Sequence, residues 1–399
     1  MPFFPIDFST NDICANIQKK VDKQLHALRQ PRRYLGMLLG VEMGYPRPKS
    51  SCLKFMTRCH KVLLITVAIL LLFVIIYQTT VHVVSINYLA NCGRALLVIQ
   101  KCMGFVDLIL IISWQWFRKE ERFNKKLQRS SNGIGLLKNR DQITKIHSII
   151  FLYSLLRALL FFSFDLIIVY DDELHPSNVS SYFPSELKIL APYLLPTTLF
   201  LFLCSPIVYS ILSSYLLIIL AEYTKLSSDF KTDGNIYQLP VIRHYIGAHW
   251  KLCTLFDPMR QILSIRLDAQ IPLNIAVLLT VFFSFIFPID RTPFDYVVDG
   301  FLVFDSILHI IAILGLSNVV WSKVTKIREQ IVGLVASERV LNEQSFAVIA
   351  AYTTYLQRNP RPISIFQFSF YNRTFLVMMF GVGCIVYLLH SSQRKLNNG

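Results

Sequence analysis

The chain has 399 residues, 53% of them hydrophobic and only 16% charged, with a mean hydropathy of +0.47. A soluble domain carries about a quarter charged residues, so a water-soluble body is excluded and lipid must be part of the solvent. The formal charge of +15 sits beside apolar runs, which points to control of membrane orientation rather than to nucleic acid.

Residues 1–61 form a cytoplasmic N-terminal segment ahead of the first apolar run. That run starts near residue 62, so the first span is expected to act as its own insertion signal. A spanning helix needs about 20 mostly apolar residues, and seven stretches qualify. They are Val62 to about Ser85, Tyr88 to about Phe117, and about Lys145 to Tyr170; then about Ile189 to Leu220, Gln270 to Pro288, Val297 to Trp321, and Phe370 to His390. The second is interrupted by Arg94 and Lys101. The fourth contains Pro192, Pro196 and Pro206, which predict kinks. The resulting division is 62–222 for spans one to four, 223–268 for a cytoplasmic helical loop and 269–321 for spans five and six. Residues 322–369 follow as cytoplasmic anchor helices, 370–392 as the seventh span and 393–399 as a short external tail.

Lys and Arg in the connections set the orientation. Segments 1–61, 117–145, 223–268 and 322–369 hold 11, 9, 6 and 6 of them, 32 of the chain's 40. The intervening connections hold none in 86–87, Lys188 alone in 171–188 and Arg291 alone in 289–296. The expected fold is therefore an all-α membrane protein with seven helices, the N-terminus cytoplasmic and the C-terminus outside. Asn178-Val179-Ser180 lies in an external connection and is a glycosylation candidate. The sequon Asn372-Arg373-Thr374 lies at the cytoplasmic start of the seventh span and is expected to stay bare.

In the cytoplasmic loops, Ile242, Tyr245, Trp250, Leu252, Leu255 and Phe256 are spaced for an apolar helix face. Ile327, Ile331, Leu334, Val335, Val340 and Leu341 do the same. Spans four, five and six are expected to continue as helices below the membrane and to pack there.

Ionisable residues inside a bilayer are costly and are functional candidates by default. They are Arg94, Lys101 and Asp107 in the second span, Arg157 and Asp165 in the third, and Asp305 and His309 in the sixth. By depth, Arg94 can meet Asp165 in the outer half, and Asp107 can meet Arg157 further in. These groups either neutralise one another between helices or, for Arg94, Asp165, Asp305 and His309, line a polar ligand pocket. Trp114, Trp116 and Trp321 fall at cytoplasmic span ends, where interfacial anchoring is the simplest role.

No enzymatic constellation appears. HExxH, GxSxG and a phosphate-cradling glycine loop are absent, the histidines are dispersed, and the eight cysteines stand singly. Neither a disulfide framework, a metal site nor a cofactor is expected. A rhodopsin-like receptor would need an external N-terminus, a DRY-like triplet and NPxxY. A transporter would be supported by an internal repeat, which is not seen.

The most specific signal is the C-terminal stretch FQFSFYNRTFLVMMFGVGCIVYLLHSSQRK. It resembles the signature of insect gustatory receptors, in which an Asn-Arg start leads into a last helix ending Thr-Tyr, five hydrophobic residues, then Gln-Phe. Asn372 and Arg373 open it here, and Tyr387 precedes Gln393 by six positions. Val386 replaces the Thr, Arg394 replaces the Phe, and only Leu388 and Leu389 of the five intervening residues are apolar. The resemblance implies a tastant-gated, non-selective cation channel in the plasma membrane of sensory neurons, assembled as a homo- or hetero-tetramer. It further implies a pore lined by the seventh helix. Val386, Leu389, His390 and Gln393 share roughly one face of that helix, and four such faces form an apolar constriction with a polar collar.

Overall fold

The computed structural model describes residues 8–41, 51–84, 92–131, 133–174, 191–258, 293–335 and 342–358, with scattered positions between 266 and 281. All regular structure among the described residues is helical. In chain order the helices are α1 (Phe8–Leu38), α2 (Ser51–Val84), α3 (Cys92–Trp116), α4 (Lys119–Ser131), α5 (Ile134–Lys138) and α6 (Arg140–Leu174). They are followed by α7 (Ala191–Thr232), α8 (Leu239–Cys253), a 3-10 turn over Thr254–Phe256, α9 (Pro293–Gly333) and α10 (Glu343–Arg358).

The predicted third and sixth spans fall within α6 and α9, and the described parts of the first, second and fourth overlap α2, α3 and α7. The stretches Arg140–Ile167 and Leu195–Thr232 are long and apolar enough to cross a membrane. At 1.5 Å per residue, the 42 residues of α7 extend about 63 Å, roughly twice a hydrocarbon core. Pro196 and Pro206 lie inside this helix without ending it, as prolines in helices of a packed bundle can.

α7 is the central post. α1, α3, α5, α6, α8 and α9 all pack on it. Its buried face includes Leu201, Cys204, Ile207, Ile211, Tyr215 and Ile219, a 3- and 4-residue spacing that keeps one helix side toward its neighbours. Two glycines permit unusually close approach. A Cβ on Gly104 of α3 would meet the Leu201 carbonyl oxygen at 2.5 Å, and one on Gly135 of α5 would meet the Ala221 carbonyl oxygen at 2.7 Å. Beside Gly135, the Leu136 amide donates to Glu222 Oε1 at 2.7 Å, giving a free amide at the start of α5 a buried acceptor.

The distribution of polarity is the reverse of a soluble protein's. Val62, Leu63, Leu70 and Phe73 of α2, Ile149, Leu152 and Leu156 of α6, and Phe304 and Ile311 of α9 are exposed. Lys101, Asp107, Arg157, Asp165 and Asp305 are buried. Soluble proteins almost never bury such charges in number and rarely expose long apolar stripes.

The same apolar core continues through segments outside the predicted spans. Val21, Leu25, Leu28 and Arg32 give α1 one buried face, although residues 1–61 carry no long apolar run. Ile242, Tyr245, Leu252, Leu255 and Phe256 are buried, as are Ile327, Ile331 and Leu334; Val335 is exposed. Trp114 departs from its expected role as an interfacial anchor. It is 2% exposed and stacks 5.1 Å from Tyr215, because that face of α3 turns toward α7. Trp116 is exposed, with the Lys61 ammonium 5.2 Å over its ring.

Candidate polar ligand site within the helix bundle

Among the described residues, buried ion pairs join helices of the bundle. Lys101 of α3 donates to Asp165 of α6 at 2.8 Å. Arg157 of α6 donates through Nε to Asp305 Oδ1 of α9 at 2.7 Å. Arg266 lies 3.1 Å from Asp107 of α3, whose other carboxylate oxygen accepts from Ser205 of α7. In hydrocarbon an unpaired charge is prohibitive, so opposite charges must meet across helices.

These pairings differ from those expected by depth along spans two and three. Asp165 is held by Lys101, and Arg157 is held by Asp305 instead of Asp107. The reason is the path of the chain. α3 and α6 both pack chiefly on α7, and α9 packs on α7 beside them, placing Asp305 against Arg157. Proximity to a helix distant in sequence cannot be read from depth alone. Arg266, counted among the cytoplasmic cations of segment 223–268, is instead 3% exposed and serves Asp107.

The centre of the network is Asp305. Besides Arg157, its Oδ1 accepts from the Tyr153 hydroxyl at 3.1 Å and lies 3.3 Å from His309 Nδ1. His309 Nδ1 is also 2.8 Å from the Asp305 backbone carbonyl oxygen. Arg157 extends a second arm, donating through Nη2 to Gln100 Oε1 at 3.2 Å. Its guanidinium lies 4.7 Å over the Phe161 ring. The Tyr209 ring packs 5.7 Å from His309 and carries the Arg266 guanidinium at 5.0 Å.

Around Asp305, Gln100 Nε2, Tyr209 OH, Asp305 Oδ2 and Ser306 Oγ are buried without a hydrogen-bond partner among the described residues. Buried polar atoms are ordinarily satisfied by protein, water or a bound group. Donors and an acceptor of this kind beside aromatic rings suit a small amphipathic molecule carrying a hydroxyl or carbonyl.

Of the residues singled out in the sequence, Asp305 and His309 therefore come together. Asp165 joins Lys101, and the Arg94 side chain lies outside the described residues, although its backbone belongs to α3. Asn178, Asn372, Arg373, Val386, Tyr387, Leu389, His390 and Gln393 also lie outside the described residues. The sequence reading missed Gln100, Tyr153, Ser205, Tyr209 and Arg266. All but Arg266 are uncharged, and a neutral polar residue in a span gives no warning of burial against a charge.

Outside the spans, His249 of α8 forms a second buried polar contact. Its Nδ1 is hydrogen-bonded to the Tyr352 hydroxyl of α10 at 2.8 Å. Cys253 Sγ lies 3.9 Å away and accepts from the Tyr223 hydroxyl at 3.3 Å. Burial lowers the His249 pKa to about 4, assisted by Arg328 and opposed by a hydrogen bond to the Val324 backbone. Burial likewise raises the Cys253 thiol to about 12. Both are neutral near pH 7, so this contact is a structural joint between α8 and α10.

No family model and no curated sequence matches the chain. Among solved structures, the insect olfactory receptor OR5 from Machilis hrabei, in complex with eugenol, is similar. The TM-score is 0.52 at 15% identity, over 84% of this chain and 90% of that one. The chain thus has the fold of an insect olfactory receptor.

Proposed function

We propose that this chain is a chemoreceptor subunit that opens a non-selective cation channel when a small molecule binds among the outer parts of its helices. The observation that carries the reading is the shared fold with a receptor solved in complex with a small molecule. The buried polar cluster around Asp305 supports it, because it presents unmet donors and an acceptor inside an apolar bundle. In this reading the spans number seven, the N-terminus is cytoplasmic and four subunits surround a pore. Val386, Leu389, His390 and Gln393 of the seventh span line that pore. The degenerate C-terminal motif favours a gustatory role, in the plasma membrane of sensory neurons, with a tastant as ligand.

The test is current in cells expressing this chain alone or with related subunits, during a panel of sugars and bitter compounds. Evoked cation current that persists with G-protein signalling blocked and changes with Gln393→Ala is the expected result. Surface-exposed protein that stays silent in every subunit combination would refute the channel reading. An epitope at the N-terminus that antibody reaches in intact cells would refute the orientation.

A further inference from the structure

A cavity of about 1040 Å³ opens between α1 and the start of α6, at the upper end of the range for small-molecule sites. Lys20 and Lys23 stand on its α1 wall, and Arg140 and Lys145 on its α6 wall. Asp141 is the one acid lining it, and it lies 3.2 Å from Arg140. Among the described residues, Lys20, Lys23 and Lys145 have no acidic partner within ion-pair distance. A part-buried polar contact joins the two walls: Gln24 of α1, 7% exposed, donates to the Thr144 hydroxyl of α6 at 2.9 Å.

The arginines of α1 are already committed. Arg29, Arg32 and Arg33 converge on Glu120 at 2.9, 2.9 and 3.6 Å. Lys20 and Lys23 are therefore a separate set, about two to four turns nearer the N-terminus of α1. Their height is informative. Lys145 precedes Ile149, the first large apolar side chain exposed on α6, by four residues, about 6 Å of helix. The cavity mouth thus lies one turn below the lipid-facing belt, where phosphates of a leaflet would sit.

We infer that this cavity binds the headgroup of a polyphosphorylated inositol lipid of the inner leaflet. Four exposed cations line this opening from two helices, with one acid among them, more than a single monoanionic phosphate needs. Basic pockets beside span ends on the cytoplasmic side suit such headgroups. Bridging Lys20 and Lys23 to Arg140 and Lys145, the headgroup fastens α1 to the membrane end of α6. The inner-leaflet source rests on the proposed cytoplasmic N-terminus; the binding itself does not depend on channel activity.

The experiment uses the purified full-length chain and short-chain phosphatidylinositol bisphosphate, followed by thermal shift and direct binding. Inositol trisphosphate, inorganic phosphate and phosphatidylserine serve as comparison probes. Lys20→Gln, Lys23→Gln and Lys145→Gln each weaken lipid binding about fivefold, the weight of roughly 1 kcal/mol per surface cation. Lys19→Gln, on α1 but outside the cavity lining, leaves it unchanged and guards against a general charge effect. Inositol trisphosphate competes, and reconstituted protein prefers bisphosphate-containing nanodiscs over phosphatidylserine nanodiscs of equal charge. Equal binding of inorganic phosphate, or wild-type affinity in the combined Lys20→Gln/Lys23→Gln/Lys145→Gln variant, would overturn the proposal. An externally accessible N-terminus in the epitope experiment would overturn it by a separate route, by removing the inner-leaflet source.

Discussion

Asp305→Ala is the most informative single change. The wild-type carboxylate takes Arg157 Nε at 2.7 Å and the Tyr153 hydroxyl at 3.1 Å, with His309 Nδ1 at 3.3 Å. Its removal strands a guanidinium that is 5% exposed and leaves it one side-chain acceptor, Gln100 Oε1. Deleting one member of a buried pair costs about 3–5 kcal/mol, because the other charge stays buried without compensation. That corresponds to roughly two to four decades in the folding equilibrium. Fluorescence-detected melting of detergent-solubilised protein, together with the surface-expressed fraction, reads this loss. The double variant Arg157→Met/Asp305→Leu removes both charges and recovers most of it, since an apolar replacement of a buried pair is often neutral or better. Wild-type melting of Asp305→Ala, or a double variant no more stable than the single, would refute the idea that the pair holds α6 to α9.

Three further outcomes are expected. Gly104→Val drives a side chain into the Leu201 backbone, forcing α3 away from α7 at a cost of about 1–3 kcal/mol, measured by the same melting assay. Burial works against ionisation of Glu120, yet Arg32, Arg29 and Arg33 override it and hold its pKa below the usual carboxylate value. Glu120→Gln should therefore loosen α1 by roughly 2 kcal/mol, seen as faster hydrogen exchange over residues 20–33. For His249, the folded value of about 4 lies below the ordinary 6.5, so protonation favours the unfolded joint. Its contribution is complete above about pH 6.5 and falls away towards pH 4, by roughly 3 kcal/mol in all. A melt of His249→Gln whose acid sensitivity over that window equals that of wild type would contradict this.

The membrane character of the chain was legible because it depends on composition summed over long runs. Lys101, Asp107, Arg157, Asp165 and Asp305 stood out for the same reason, since a charge in an apolar run is conspicuous wherever it folds. Their partners were not legible. Arg157 and Asp305 are 148 positions apart, and only the packing of α6 and α9 on α7 makes them neighbours. Arg266 was hidden by its own context. In a segment rich in Lys and Arg it counted toward the orientation pattern, although it turns inward to Asp107. The buried face of α1 was missed for a different reason. Val21, Leu25, Leu28 and Arg32 recur at helical spacing, but one of the four is an arginine, and a hydropathy scan discounts it. Arg32 is buried because Glu120 neutralises it and Tyr215 lies 5.7 Å beneath its guanidinium. Within the apolar runs of this chain, then, charged side chains mark interior faces. With the exterior facing hydrocarbon, hydrophobicity no longer distinguishes inside from outside, and helix contacts must be specified by polar pairs. A substitution within those pairs should consequently disturb assembly more than an equal loss of apolar volume on the lipid-facing stripe of α2 at Leu70 or Phe73.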